Sequence, residues 1–338
     1  MNVTISARSD ADLIAELTVI GKLFARYMLL VMIILSSVGN VLNVLIFSQS
    51  KLRSNPCTVY LLAASYTNLI WTVAAVCSRF LSTYNLDFSA QISGLCKIRH
   101  FIFFSFSSIS VWMMTLATFD RFLISSTSTK YRQFSSFRNT YRLIGITTII
   151  LSLNYANLFY CANIKGTPPS SSCTSITSTA CGFYNELSRI MTSAIIPGIV
   201  ILVFGLGTIR HLKQIRTTVT TTTAQTQSQQ RMRKTDQELI RMLIGQIILI
   251  FISWIPHAAE RLYTVITLYD VKSPLRTTQD NFLDQIIWTE TTLDSSLSFY
   301  VYLFTGGILF RKTFREMFRR GTITPTNEMS LTQRQTRS

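Results

Sequence analysis

The chain has 338 residues, 48% of them hydrophobic and 14% charged, with a mean hydropathy of +0.32 and a formal net charge of +16. Charge of that size would first suggest a nucleic-acid partner. Its distribution relative to the apolar segments excludes that reading, because the whole surplus falls on one side of a membrane.

Met1–Arg26 is polar and has no apolar run of its own, so no cleavable signal peptide is expected and residues 1–26 read as an extracellular N-terminal segment. Asn2-Val3-Thr4 within it is a glycosylation sequon. Six stretches of 18 to 21 residues then run without a charged side chain: Tyr27–Phe47, Cys57–Cys77, Phe101–Phe119, Leu143–Cys161, Ile190–Ile209 and Met242–Ala259. A seventh, Leu283–Phe304, carries acids. Each can cross roughly 30 Å of hydrocarbon as a helix. Polar loops separate them, so the expected fold class is all-α, a bundle of seven transmembrane helices over residues 27–320.

With the N-terminus outside, the cytosolic segments hold 21 of the 32 Lys and Arg but 5 of the 16 Asp and Glu, a surplus of 21 − 5 = +16. This is the positive-inside bias, with acidic inner-leaflet lipid and a cytosolic protein as the expected counterparts. The tract Thr217–Gln230, nearly all Thr, Gln and Ser between two basic clusters, marks a cytosolic loop without the apolar content to fold alone. After the seventh span, Phe310, Phe314, Met317 and Phe318 recur at helical spacing among Arg311, Lys312, Arg315, Arg319 and Arg320. That pattern predicts an interfacial amphipathic helix at 308–320, followed by a cytosolic tail at 321–338. Hydroxyls at Thr322, Thr324, Thr326, Ser330 and Thr332 make that tail a substrate for regulatory phosphorylation.

Of the six cysteines, Cys57, Cys77 and Cys161 fall within or at the ends of spans and read as small buried apolar residues. Cys96, Cys173 and Cys181 lie on the outer, oxidising side, where a disulfide is expected. The histidines His100, His211 and His257 fall in different segments, with no His/Cys/carboxylate spacing for a metal and no phosphate-cradling glycine loop. An enzyme is therefore not expected, nor an organic cofactor.

Certain rare residues carry a resemblance. Cys96 opens the third span and Asp120-Arg121-Phe122 closes it, with 25 residues from cysteine to arginine. The first span offers Gly39-Asn40, the fifth Pro197 and the sixth Ser253-Trp254-Ile255-Pro256. In these features, over about Gly39 to Phe318, the chain resembles the rhodopsin-like (class A) G-protein-coupled receptors, with a flavour of the invertebrate neuropeptide receptors such as those for FMRFamide-like peptides. It departs from the family pattern in having no fourth-span tryptophan, Gly205 where the fifth-span tyrosine is usual, and Asn68 where the second-span aspartate is usual. Ser298-Phe299-Tyr300-Val301-Tyr302 stands for the seventh-span motif, keeping only Tyr302 and no proline.

The resemblance implies several roles. Cys96 would be disulfide-bonded to the loop before the fifth helix; Cys173 and Cys181 compete, and Cys173 is favoured because Cys181 lies close to the outer end of that helix. Asp120, Arg121, Asp236, Trp254, Pro256 and Tyr302 would form the activation switch, with an Arg121–Asp236 latch and a pivot at Pro256. The competing reading of Thr235-Asp236 is a helix start. Ligand contacts would come from Arg99, His100, Phe103, Ser107, Arg189, Trp254, His257, Arg261, Asp284 and Trp288. Groups of both signs there suit a charged or amphipathic ligand. Phe103, where amine receptors carry an aspartate, disfavours a biogenic amine, and the seventh span lacks the lysine that retinal requires. Asp294, with Asn68, Ser110 and Ser295 as neutral oxygen donors, is a candidate sodium site, against a protonated Asp294 hydrogen-bonded to Asn68. The implied function is a plasma-membrane receptor that binds an extracellular ligand, a small neuropeptide first among them, and activates a heterotrimeric G protein. A small-molecule chemosensory receptor and, from a different class, an ion-coupled transporter using the seventh-span acids stay open.

Overall fold

The computed structural model describes residues 9–126, 128–166, 172–174, 178–219, 227–267 and 270–321. The Asn2 sequon, residues 220–226 of the Thr/Gln tract and the tail hydroxyls lie outside them. Helix α1, Asp10–Phe47, begins 17 residues before the charge-free stretch. Its start is set by capping: the Ser9 hydroxyl accepts from the Asp12 amide, and Asp10 and Asp12 face the positive end of the helix dipole.

Helix α2 opens with Asn55 as cap and Pro56 in its first turn, runs Pro56–Trp71, passes through a π-turn at Thr72–Val76 and ends at Cys77–Ser82. Helix α3, Ser93–Ser125, packs against α2, α4, α5 and α6, which makes it the axis of the bundle. Helix α4, Phe137–Asn154 with a last turn at Leu158–Cys161, leads into an antiparallel hairpin, β1 (Asn163–Lys165) and β2 (Ser172–Thr174), with Ile164 opposite Cys173. Helix α5 runs Thr179–Ile190, through a π-turn at Met191–Ile195, into Ile196–Val219. Helix α6, Gln227–Ile266, contains Pro256. Because α6 begins at Gln227, Thr235-Asp236 is not a helix start.

Helix α7 is in two pieces, Pro274–Glu290 and Leu293–Thr305. No proline lies at the break between the pieces, and the interruption falls where Thr291 and Thr292 bond back to the carbonyls of Trp288 (2.7 Å) and Thr289 (2.6 Å). Gly306 and Gly307, the latter at φ +66°, then turn the chain by 106° into α8, Gly307–Gly321. Any side chain at Gly306 would run into the Tyr302 carbonyl.

Among the described residues six helices are long and apolar enough to cross a membrane, and the bent pair of α7 and α8 taken together gives a seventh candidate. The protein is a multi-pass membrane protein. Ile34, Val73, Leu153, Val203, Ile252 and Ile255 are all more than half exposed on these spans, as suits helices that face lipid. The interior is filled at one end by Phe47, Phe299, Tyr302 and Phe310, which lock α1, α7 and α8 together. Deeper in the bundle a polar seam joins helices through amides and hydroxyls. Asn40 donates to the Ser295 carbonyl (2.8 Å), and the Ser36 and Thr72 hydroxyls bond to each other (2.7 Å).

Candidate functional site

Two clusters and a connecting core occupy the bundle. At the end carrying the hairpin, Cys96 is bonded to Cys173, fastening β2 to the first turn of α3. Cys161 is bonded to Cys181, tying the end of α4 to the start of α5. Reading Cys161 as a buried unpaired residue is thus corrected, because the last turn of α4 delivers it beside the capped start of α5. His100 lies 3.2 Å from the Cys173 sulfur, but both sulfurs of this Cys/His group are spent in the disulfide, so it offers no thiolate to a metal.

Beneath the hairpin is a cavity of about 190 Å³ lined by Ala75, Arg79, Arg99, His100, Phe103, Phe104, Glu186, Arg189, Arg261, Asp284 and Trp288. Seven residues named from sequence line it: Arg99, His100, Phe103, Arg189, Arg261, Asp284 and Trp288. Ser107, Trp254 and His257 are not in the lining. Trp254 and His257 are buried and meet edge-to-face at 5.6 Å, with neither ring nitrogen of His257 hydrogen-bonded. Phe104 was not singled out from sequence, where an aromatic in an apolar run carries no signal. Arg79 from α2 and Glu186 from α5 complete the charged lining.

The charges are laid out in pairs. Arg99 meets Asp87 at 3.0 Å, and Arg79 meets Asp284 at 3.4 Å while stacking 4.4 Å over Trp288. Arg261 gathers three acids, Asp284, Glu260 (2.6 Å) and Glu186 (3.8 Å). Aromatic rings close the floor, with Phe103 stacked 6.0 Å from Trp288, itself 6.2 Å from Trp71. In the α6–α7 connection, Lys272 donates to Asp280 at 2.6 Å, which raises its pKa above the ordinary lysine value.

At the opposite end Arg121, 2% exposed, is held by three residues. It donates to Asp120 (2.7 Å), Asp236 (2.8 Å) and the Asn55 side-chain oxygen (2.7 Å). Asp120 in turn accepts from Ser135. Asn55 went unremarked in the sequence because a residue before Pro56 reads only as a cap. Here the same oxygen caps α2 through the Cys57 amide (3.1 Å) and grips Arg121.

Between the clusters, Asp294 accepts from the Trp254 indole (3.3 Å) and from the Ser295 amide (2.6 Å). Asn68 accepts from Ser110 (2.6 Å) and faces Asn40 at 3.4 Å. Among the described residues no hydrogen bond joins Asp294 to Asn68, so the Asp294–Asn68 bond is not formed; Ser110 donates to Asn68 and Ser295 to the Thr292 carbonyl (3.0 Å). Tyr302 is buried with its hydroxyl 3.8 Å from the Met114 sulfur. Pro256 removes one backbone donor from α6 a residue beyond Ile255, next to the Trp254 whose indole binds α7.

No curated protein matches the chain. The family model described as 7 transmembrane receptor (rhodopsin family) matches residues 39–294, which span the first-helix Gly39-Asn40 pair, both clusters and the core up to Asp294. Seven apolar helices around a buried Arg121 and a charged cavity at the other end are thus accounted for together: the chain belongs to the rhodopsin family of seven-transmembrane receptors, and it is a receptor rather than an enzyme.

Proposed function

We propose that the protein stands in the plasma membrane with its N-terminus outside, binds an extracellular ligand in the cavity under the hairpin, and activates a heterotrimeric G protein at the Arg121 end. The orientation rests on the basic surplus of the loops at the Arg121 end. The observation that carries the function is the pairing of a charged, aromatic cavity with a closed arginine latch, both touching α6 on either side of Pro256. Ligand pressing on the outer half of α6 would favour a second arrangement in which Asp236 leaves Arg121 and a cleft opens. A cavity of about 190 Å³ holds a few residues' worth of atoms at most. A small neuropeptide would therefore seat only its end there, with the rest lying over the hairpin.

The test is ligand-dependent nucleotide exchange on a G protein, run beside substrate flux in proteoliposomes holding the same purified protein. Exchange without flux supports the receptor reading. Flux driven by an ion gradient, with no exchange for any ligand of a peptide library, would replace it with the transporter.

The core suggests a separate expectation. With Asp294 serving as acceptor for Trp254, replacing Na⁺ by a bulky organic cation at fixed ionic strength should leave the thermal midpoint of the purified receptor unchanged. A midpoint that rises with Na⁺ and loses that rise in Asp294→Asn would show a cation held at Asp294. Asp294→Leu, which removes the acceptor, should instead raise basal exchange by freeing the Trp254 indole.

A further inference from the structure

Arg189 is the anomaly of the cavity. The other three arginines lining it each meet at least one carboxylate, at Asp87, Asp284, Glu260 or Glu186. Arg189, 6% exposed, makes no hydrogen bond or ion pair among the described residues. Its guanidinium lies over the faces of Phe103 at 5.0 Å and Phe104 at 5.3 Å. Glu186 stands one turn earlier on α5, yet its Oε1 is turned to Arg261 and its Oε2 is buried without a donor. Glu186 thus acts on Arg189 through its field alone, and among the described residues no carboxylate oxygen reaches the guanidinium at ion-pair distance. A buried guanidinium without an acceptor is costly, and stacking on aromatic faces recovers only part of the lost hydration. Its five donors form a planar fork that matches a carboxylate in bidentate geometry.

Resting on the reading of this cavity as the ligand site, we propose that the ligand carries a carboxylate which Arg189 receives, with an apolar or aromatic group beside it against Phe103, Phe104 and Trp288. The paired arginines Arg79, Arg99 and Arg261 shape the walls, since drawing them to a ligand would strand their own acids. A carboxylate can come from a peptide C-terminus, an arylalkanoic acid or a fatty acid. All three present the same two oxygens and differ in the group that bears them.

The test uses purified full-length receptor in lipid nanodiscs and matched probes: N-acetyl-phenylalanine and N-acetyl-tryptophyl-phenylalanine, each as free acid and as C-terminal amide, with 3-phenylpropanoic acid and palmitic acid as the other two sources. Binding is read as ligand-dependent thermal stabilisation, independent of any G protein. Free acids of at least one source should stabilise the wild type, with their amides at least tenfold weaker. Arg189→Ala should weaken the acids tenfold or more and leave the amides unmoved, and Arg189→Lys should fall between. The unliganded midpoint of Arg189→Ala should not drop, which separates lost recognition from lost folding. Amides binding as well as acids, acids binding Arg189→Ala as well as the wild type, or no acid binding at all would each overturn the proposal. Acids that stabilise through Arg189 but promote no nucleotide exchange would leave the anion site standing and count against the receptor function instead.

Discussion

Asp236→Asn is expected to raise ligand-independent nucleotide exchange about tenfold. Arg121 is almost wholly buried and divides its donors among Asp120, Asp236 and Asn55, while the Asp236 side chain is 30% exposed. Of these partners only Asp236 lies on α6, the helix whose inner half moves in the activation proposed above. A hydrogen bond to a charged group contributes about 1.5–3 kcal/mol, and partial exposure of Asp236 places it at the lower end. About 1.4 kcal/mol is a factor of ten in an equilibrium. Asp120 and Asn55 stay with Arg121 in the variant, so the arginine is not left unpaired and the fold should hold. Basal exchange measured at equal surface expression decides the matter; no increase would remove the latch from the mechanism.

Loss of the Cys96–Cys173 bond should be the most damaging single change to stability. It closes a loop of 77 residues and holds β2 over the cavity, whereas Cys161–Cys181 closes one of 20. The chain-entropy view puts the first at about 4–5 kcal/mol and the second at about 3 kcal/mol. Cys96→Ser should thus lower surface expression and thermal midpoint further than Cys161→Ser, with both below the wild type. A reversed order in a thermal-shift series would show that the short tie between α4 and α5 matters more than the hairpin lid.

Much of this molecule was legible in its sequence because a membrane imposes one rule with little room for exception. Backbone groups in hydrocarbon must be satisfied within the segment, so seven long apolar runs read as helices, and the sidedness of Lys and Arg is what the proposed orientation rests on. The cysteine at the head of α3 and the Asp-Arg pair at its foot were readable for a related reason: a charged or reactive residue in such a setting is too costly to be incidental. Seven of the cavity-lining residues were named from sequence, as ligand contacts that the resemblance implies.

What tertiary structure alone decided was which of these groups meet. The sequence grouped Asp294 with Asn68 and Ser110; only the bundle shows the Asp294 carboxylate accepting from Trp254 of α6 while Ser110 donates to Asn68. Cys161 looked like a small apolar residue until the last turn of α4 brought it to Cys181. Asn55 caps its own helix by local rules and clasps Arg121 only because α2 and α3 lie side by side. Arg189 is indistinguishable in sequence from the other outer arginines, and only the bundle shows three carboxylates from α5, α6 and α7 converging on Arg261 while, among the described residues, none reaches Arg189 at ion-pair distance. Period and polarity fix which face of a helix turns inward, but partner choice depends on helix rotation and crossing to within a few ångströms, which no single segment encodes.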